Sequence, residues 1–210
     1  MRRNTLRYMR QLLFLVILLP SIYMGLLSSV SQAQDAVYGS ANGPLNAEVL
    51  APHISYILDA SWELTIEDIV SPENTRFKPI PTIRPDFGYI DEKIWLRIKL
   101  KNTTNNVENW RLYVRENFLQ YYDVYVLRTD GGIEQIESQD PDSSFSDRAF
   151  AYPELVTPLK FTSNEEITLY INYWSGGSSY VDMSLETQDS FAALSLKPVS
   201  YTHLTLPTKA

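Results

Sequence analysis

No cysteine occurs anywhere in the 210 residues. Disulfides and thiolate chemistry are therefore excluded, and a fold outside the cytoplasm has to be held by its core alone. Histidine is almost as scarce: His53 and His203 are the only two. Neither a Ser-His-Asp nor a Cys-His constellation can be assembled from them. There is no HExxH motif and no Cys/His cluster with zinc-ligand spacing. Asp130-Gly131-Gly132 is a turn, not a phosphate cradle. An acidic chain always offers carboxylate pairs of the kind glycosidases use, but no spacing here selects one. The chain is thus expected not to be an enzyme, with no catalytic residue and no cofactor. Asp140, Asp142 and Asp147 are oxygen ligands in principle, but Pro141 stiffens their loop and no closing Glu follows, so no metal site is expected either.

Positive charge is thin beyond the N-terminus. Between residues 34 and 197 all 25 acids face 13 Lys/Arg, a net charge near −12, against −7 for the whole chain. That balance argues against nucleic acid and anionic membrane surfaces as partners, since both call for basic patches.

One long apolar run is present. Arg2, Arg3, Arg7 and Arg10 precede a stretch from Leu12 to Leu27, and Ser31-Gln32-Ala33 follows with small residues at both ends. This order predicts a signal peptide over residues 1–33, cleaved after Ala33. An uncleaved membrane anchor is the alternative, because about 20 apolar residues suffice to span. Either way Gln34 onward is expected on the periplasmic or extracytoplasmic side of the inner membrane. At the other end, residues 198–210 (PVSYTHLTLPTKA) have a composition unlike the rest. They resemble translated adapter read-through at the ends of metagenomic reading frames, so a non-native tail is expected there; a genuine disordered terminus is the alternative.

Residues 34–53 carry Gly, Pro, Asn and Ala without periodicity and read as a lead-in linker. Residues 54–197 are expected to form one domain, large enough to bury a core without cross-links. Ile54–Leu58 is a first strand. A short helical turn is predicted near 62–70, where Thr65 and Asp68 have capping-box spacing. Pro72, Pro79, Pro81 and Pro85 bar the segment 71–89 from central strand. Residues 94–101 then alternate without a fault: Ile94, Leu96, Ile98 and Leu100 on one face, Trp95, Arg97, Lys99 and Lys101 on the other. Further strands are read at 110–115, 121–127, 155–161 (at an edge, because of Pro158), 167–174 and 180–186, with a polar loop at 137–147. The fold class is therefore all-β: an antiparallel β-sandwich, jelly-roll like.

Trp95 and Arg97 stand on the polar face of their strand, about 6.6 Å apart at ~3.3 Å per residue. A flat ring beside a cation suits a sugar, the ring beneath its apolar face and the guanidinium on its hydroxyls or a carboxylate. Tyr121, Tyr122, Tyr152, Trp174 and Tyr180 could extend such a surface. The alternative is that Trp95 packs beneath the segment 71–89 and that Arg97 pairs with an acid. A few aromatic contacts of this kind would give a dissociation constant of about 0.1–1 mM.

Taken in order, certain pieces of the chain resemble a known family. They are Tyr56-Ile57-Leu58-Asp59, Leu64 to Ile69 with Phe77, Phe87-Gly88-Tyr89, Trp95-Leu96-Arg97-Ile98 leading to Asn102, Trp110-Arg111-Leu112, Asp123 to Val126, Phe145 to Arg148, Tyr152-Pro153, Leu169-Tyr170-Ile171, Gly176 to Ser178 and Phe191. Over roughly residues 56–191 the chain resembles 7TMR-DISMED2, extracellular domain type 2 of bacterial seven-transmembrane receptors with diverse intracellular signalling modules. The resemblance implies a periplasmic jelly-roll sandwich similar to carbohydrate-binding modules. It implies a parent protein embedded in the membrane through seven helices that this chain lacks, with a histidine kinase or diguanylate cyclase as output. The expected role is ligand sensing, for a glycan or related small molecule. Trp95, Arg97, Arg148 and Tyr152 match the family pattern at positions that could meet the ligand. The competing reading is a protein-interaction or homodimerisation module with no small ligand, because an exposed aromatic patch also suits an interface.

Overall fold

The alternation of residues 93–101 organises the molecule. In the computed structural model, which describes residues 43–116 and 118–196, Ile94, Leu96, Ile98 and Leu100 all enter the central core, none more than 2 % exposed. The expected signal peptide, the tail expected to be non-native and the front of the lead-in lie outside the described residues.

The strands are β1 (Ile54–Asp59), β2 (Lys78–Pro79), β3 (Lys93–Lys101), β4 (Glu108–Val114), β5 (Leu119–Arg128), β6 (Ile133–Gln139), β7 (Leu155–Phe161), β8 (Glu166–Ser175) and β9 (Met183–Thr187). Short helices are α1 (Ala47–Leu50), α2 (Ile66–Val70) and α3 (Gln188–Ser195). One sheet has the order β2-β1-β3-β8-β5-β6 and the other β7-β4-β9, antiparallel throughout. The chain crosses between sheets from β3 to β4, β4 to β5, β6 to β7, β7 to β8 and β8 to β9, the double-sheet path expected of a jelly roll. Between the sheets Tyr122 and Tyr173 are fully buried, and the Tyr122 hydroxyl meets Thr157 Oγ1 of the opposite sheet at 3.3 Å. β7 lies at an edge, with Pro158 opposite Arg111, as its proline requires.

Both sheets are also covered on their outer faces. Over the larger one lies α2, started by a capping box in which Thr65 and Asp68 each accept from the other's backbone N–H. Its Ile69 packs with Ile57, Trp95 and Tyr170 into a second apolar cluster. Over the smaller sheet α3 seats Phe191 against Tyr113 and Val156.

Several elements differ from the sequence reading. The stretch read as a loose lead-in holds α1 and a 3-10 turn, with Leu45, Ala47 and Leu50 buried and Leu45 bridged to Leu185; three apolar residues in a Gly/Pro-rich segment leave no period to detect. β6 reaches into the segment read as loop because it is an edge strand of mostly polar residues, and its one buried side chain, Glu137, is itself polar and leaves no apolar alternation to read. α3 escaped notice because one buried residue, Phe191, makes no stripe.

The register places one set of loops together. Asp59 lies opposite Lys93, Ile94 opposite Tyr173, Leu119 opposite Ser175 and Tyr122 opposite Gln139. The end of β1, the starts of β3 and β5 and the ends of β6 and β8 therefore share one end of the larger sheet. The exposed aromatics Trp62, Tyr89, Phe118 and Phe145 all belong to loops at this end.

Candidate ligand-binding site

At that end a single carboxylate shapes the connection from β1 to α2. Asp59 is 2 % exposed. Its Oδ1 accepts from Ser61 N (3.2 Å), Ser61 Oγ (2.6 Å) and Trp62 N (3.0 Å), and its Oδ2 from Leu64 N (3.1 Å). These bonds hold Trp62 at φ 63°, a left-handed conformation unusual for a bulky residue. The indole Nε1 donates to the Asp91 carbonyl at 2.8 Å, which fixes the ring over the sheet.

Beneath it, Lys93, Trp174 and Tyr121 form one row across β3, β8 and β5. Trp62 meets Trp174 at 5.1 Å and 62°, and Tyr121 at 5.7 Å and 87°; Tyr121 and Trp174 are 6.2 Å apart. The Lys93 ammonium lies 5.0 Å from the Trp62 ring and 4.7 Å from that of Tyr121, within cation–π range of both. The next row down is Trp95, Asn172 and Asp123. Here three buried polar atoms have no partner: Trp95 Nε1, Asn172 Oδ1 and, from the row above, Trp174 Nε1. Aromatic walls, a cation and a carboxylate thus meet on one patch, with the unpartnered Trp174 indole N–H among them, a composition suited to a polar ligand with an apolar face.

Asp123 carries the clearest electrostatic signature. Burial pushes its carboxyl above the ordinary carboxylate range; the Ser138 hydroxyl (2.8 Å), the Lys93 ammonium and the Gln135 amide (3.0 Å) pull the other way without reversing it. Burial, with the carboxylates of Asp123 and Glu67, also pushes the neighbouring Tyr125 phenol up to about 12. An acid whose folded value is raised contributes its stability fully below the unfolded value, about 3.9, and loses it as pH rises through the folded one. Asp123→Asn is accordingly expected to raise the urea midpoint at pH 7 relative to the parent chain, with the advantage gone near pH 3. A lower midpoint at pH 7 would count against this account.

The five residues singled out from the sequence do not form one surface. Tyr121 lies in the patch just described. Trp95 is on the expected face, but that face is covered: the ring is 3 % exposed beneath the α2 segment and stacks on Tyr125 at 5.9 Å. It therefore offers no open platform, a correction to the outward-facing ring expected from the alternation; the cover is α2 and Phe77. Arg97 is half-buried, its Nε donating to Ser55 Oγ at 3.1 Å and its guanidinium 4.0 Å over the Phe77 ring. Arg148 lies by the loop after β6, its Nη1 donating to the carbonyls of Tyr152 and Pro153. Tyr152 packs on Phe191 at 5.1 Å, outside the smaller sheet. The sequence reading missed Trp62, Lys93 and Asn172. The one available signal was Asp59-x-Ser61-Trp62, a carboxylate turn followed by an aromatic.

The sequence pattern of the family 7TMR-DISM extracellular 2 matches residues 51–187. The chain belongs to this family. As a 7TMR-DISM extracellular domain it is an extracytoplasmic part of a membrane receptor, and among its described residues no helix is long and apolar enough to cross a membrane. No curated protein matches its sequence. Among solved structures, the Cry4Aa toxin of Bacillus thuringiensis is similar at 15 % identity, covering 46 % of this chain and 19 % of the toxin, with a TM-score of 0.27. An exo-β-1,3-galactanase of Phanerochaete chrysosporium is similar at 11 % identity over 73 % of this chain and 29 % of that enzyme, with a TM-score of 0.28. The chain thus spans less than a third of either protein, and similarity this low carries no weight for function.

Proposed function

We propose that this 7TMR-DISM extracellular domain is a ligand-sensing module that binds a carbohydrate or a related small molecule on the patch formed by Trp62, Tyr121, Trp174 and Lys93. It is delivered by the signal peptide at residues 1–33 and belongs to a seven-transmembrane receptor whose output is a histidine kinase or a diguanylate cyclase. The observation that carries the reading is the patch itself. Three aromatic rings and a lysine are gathered from β3, β5, β8 and the β1–α2 loop, and the loop holds Trp62 in a conformation it would not adopt unaided. Strained backbone of this kind costs about 1–3 kcal/mol and persists where function needs it. The half-buried, elevated acid Asp123 beside the patch is a second mark of a functional site.

Two of the four tryptophans, Trp62 and Trp174, stand in the patch, so intrinsic fluorescence reports on it. Titration of the purified chain with a panel of oligosaccharides is expected to change the emission with a dissociation constant of about 0.1–1 mM. Tyr121→Ala should weaken binding about two- to twelve-fold, the equivalent of one aromatic contact of ~0.5–1.5 kcal/mol. No response to any sugar, with a folded chain, would end the carbohydrate reading.

The exposure of Tyr89 (86 %) and Phe118 (78 %) at the same end favours a second reading, a protein-interaction or homodimerisation module. A strict monomer in light scattering at high concentration, with Tyr89→Ala without effect on any association, would dispose of it.

A further inference from the structure

Next to the aromatic patch, where β5 begins and β6 ends, lies an open groove of about 350 Å³. Its walls include Gln120, Gln139, Phe145 and Arg148. The volume falls within the roughly 300–1,000 Å³ of small-molecule sites. We infer that this groove is a second subsite for the same ligand, so that the preferred ligand is a neutral oligosaccharide longer than a single sugar ring. The inference rests on the carbohydrate reading above and extends it.

Three observations carry it. The first is an unpaired acceptor. Gln139 Nε2 donates to the Leu119 carbonyl at 3.1 Å, which fixes the amide, while Oε1 is buried without a partner. A hydroxyl donor from a ligand would satisfy it. The second is the wall opposite. Phe145 is 53 % exposed, with the Arg148 guanidinium 5.0 Å from its ring. Arg148 Nη1 is held by the carbonyls of Tyr152 and Pro153, and its other N–H groups have no hydrogen-bond partner among the described residues. An aromatic face with a fixed amide acceptor and guanidinium donors is matched by a ring that is apolar on one side and hydroxylated at its edge. Glu137 interacts with the Arg148 charge and Asp140 adds a second acid to the groove, which favours a neutral ligand over an anionic one.

The third is continuity. Gln120 lines the groove and its chain neighbour Tyr121 lies in the aromatic patch, with a bulge in β5 between Leu119 and Tyr121. Gly176, two residues beyond Trp174, lies against the Gln120 amide: a Cβ there would sit 3.1 Å from Oε1. Absence of a side chain at this position leaves room for the amide at the groove wall. The far wall is pre-built, since Asp140 binds Ser143 Oγ (2.7 Å) and the N–H of Asp142, and Asp147 caps the turn at Ser144.

Calorimetric titration of the full chain with mono-, di- and tetrasaccharides of glucose, galactose, xylose and N-acetylglucosamine tests this. The best oligomer should bind at least about tenfold more tightly than its own monomer. Gln139→Ala and Phe145→Ala should each reduce that ratio toward one, and Gly176→Ala, which displaces Gln120 without truncating the groove, should reduce it partly. Tyr121→Ala should weaken monomer and oligomer together. Circular dichroism melts identify any variant that fails to fold, and the remaining variants then decide. Equal affinity for monomer and oligomer, or an oligomer advantage untouched by the groove variants, would overturn the second subsite and leave the sensing role standing. Absence of binding by every saccharide would overturn both.

Discussion

Trp95→Ala is expected to lower the free energy of unfolding by about 3–5 kcal/mol, as for other large aromatic truncations in cores. For a domain of this size that is a fall of roughly 6–20 °C in Tm. Trp95 is 3 % exposed, stacks on Tyr125 and shares a cluster with Ile57, Ile69 and Tyr170. Its removal opens a cavity between sheet and helix that α2, five residues long, is too short to refill. Trp95→Phe, which keeps a ring and discards the unpartnered indole N–H, should lose much less. Thermal melts of the three chains decide the matter. A Trp95→Ala melt within a degree or two of the parent would show that the ring is not a core residue and would return it to the list of ligand contacts.

Asp59→Ala should cost about 1.5–3 kcal/mol, the scale of hydrogen bonds to a charged acceptor, and should also dismantle the aromatic patch. The buried carboxylate receives three backbone N–H groups and one hydroxyl. Without them nothing offsets the left-handed backbone of Trp62, which should relax and leave Trp174 and Tyr121. Fluorescence should then show a more solvated tryptophan, and ligand affinity should fall further than in Tyr121→Ala. Asp59→Asn keeps one acceptor oxygen and should lie between the two. If Asp59→Ala matched the parent chain in both stability and emission, the carboxylate would not be what holds the loop.

The two substitutions separate what was legible from what was not. Alternation in residues 94–101 assigned Trp95 to the face opposite Ile94 and Leu96, and the sheet confirms that assignment. Alternation says which face a side chain takes but not what lies on that face, and α2 arrives from a segment outside the strand's own pattern. Asp59 ended a readable strand, yet its role depends on donors from Ser61, Trp62 and Leu64 that converge only when the chain turns. The patch is harder still. Trp62, Lys93, Tyr121 and Trp174 span more than a hundred residues of sequence, and their meeting follows from the pairing of β3 with β8 and β8 with β5.

Local periodicity and turn chemistry therefore determined, from residues alone, the strands of the core, the capped turn at Thr65, the edge position of the proline-bearing strand and membership of a sandwich class. Each depends on neighbours a few residues apart, where the pleat and the backbone dihedrals act directly. Tertiary structure decided which outer faces are covered, which aromatics stay open, and where a cation, an acid and unpaired polar atoms come together. Those outcomes depend on strand order and register, which are set by the packing of the whole core rather than by any one segment.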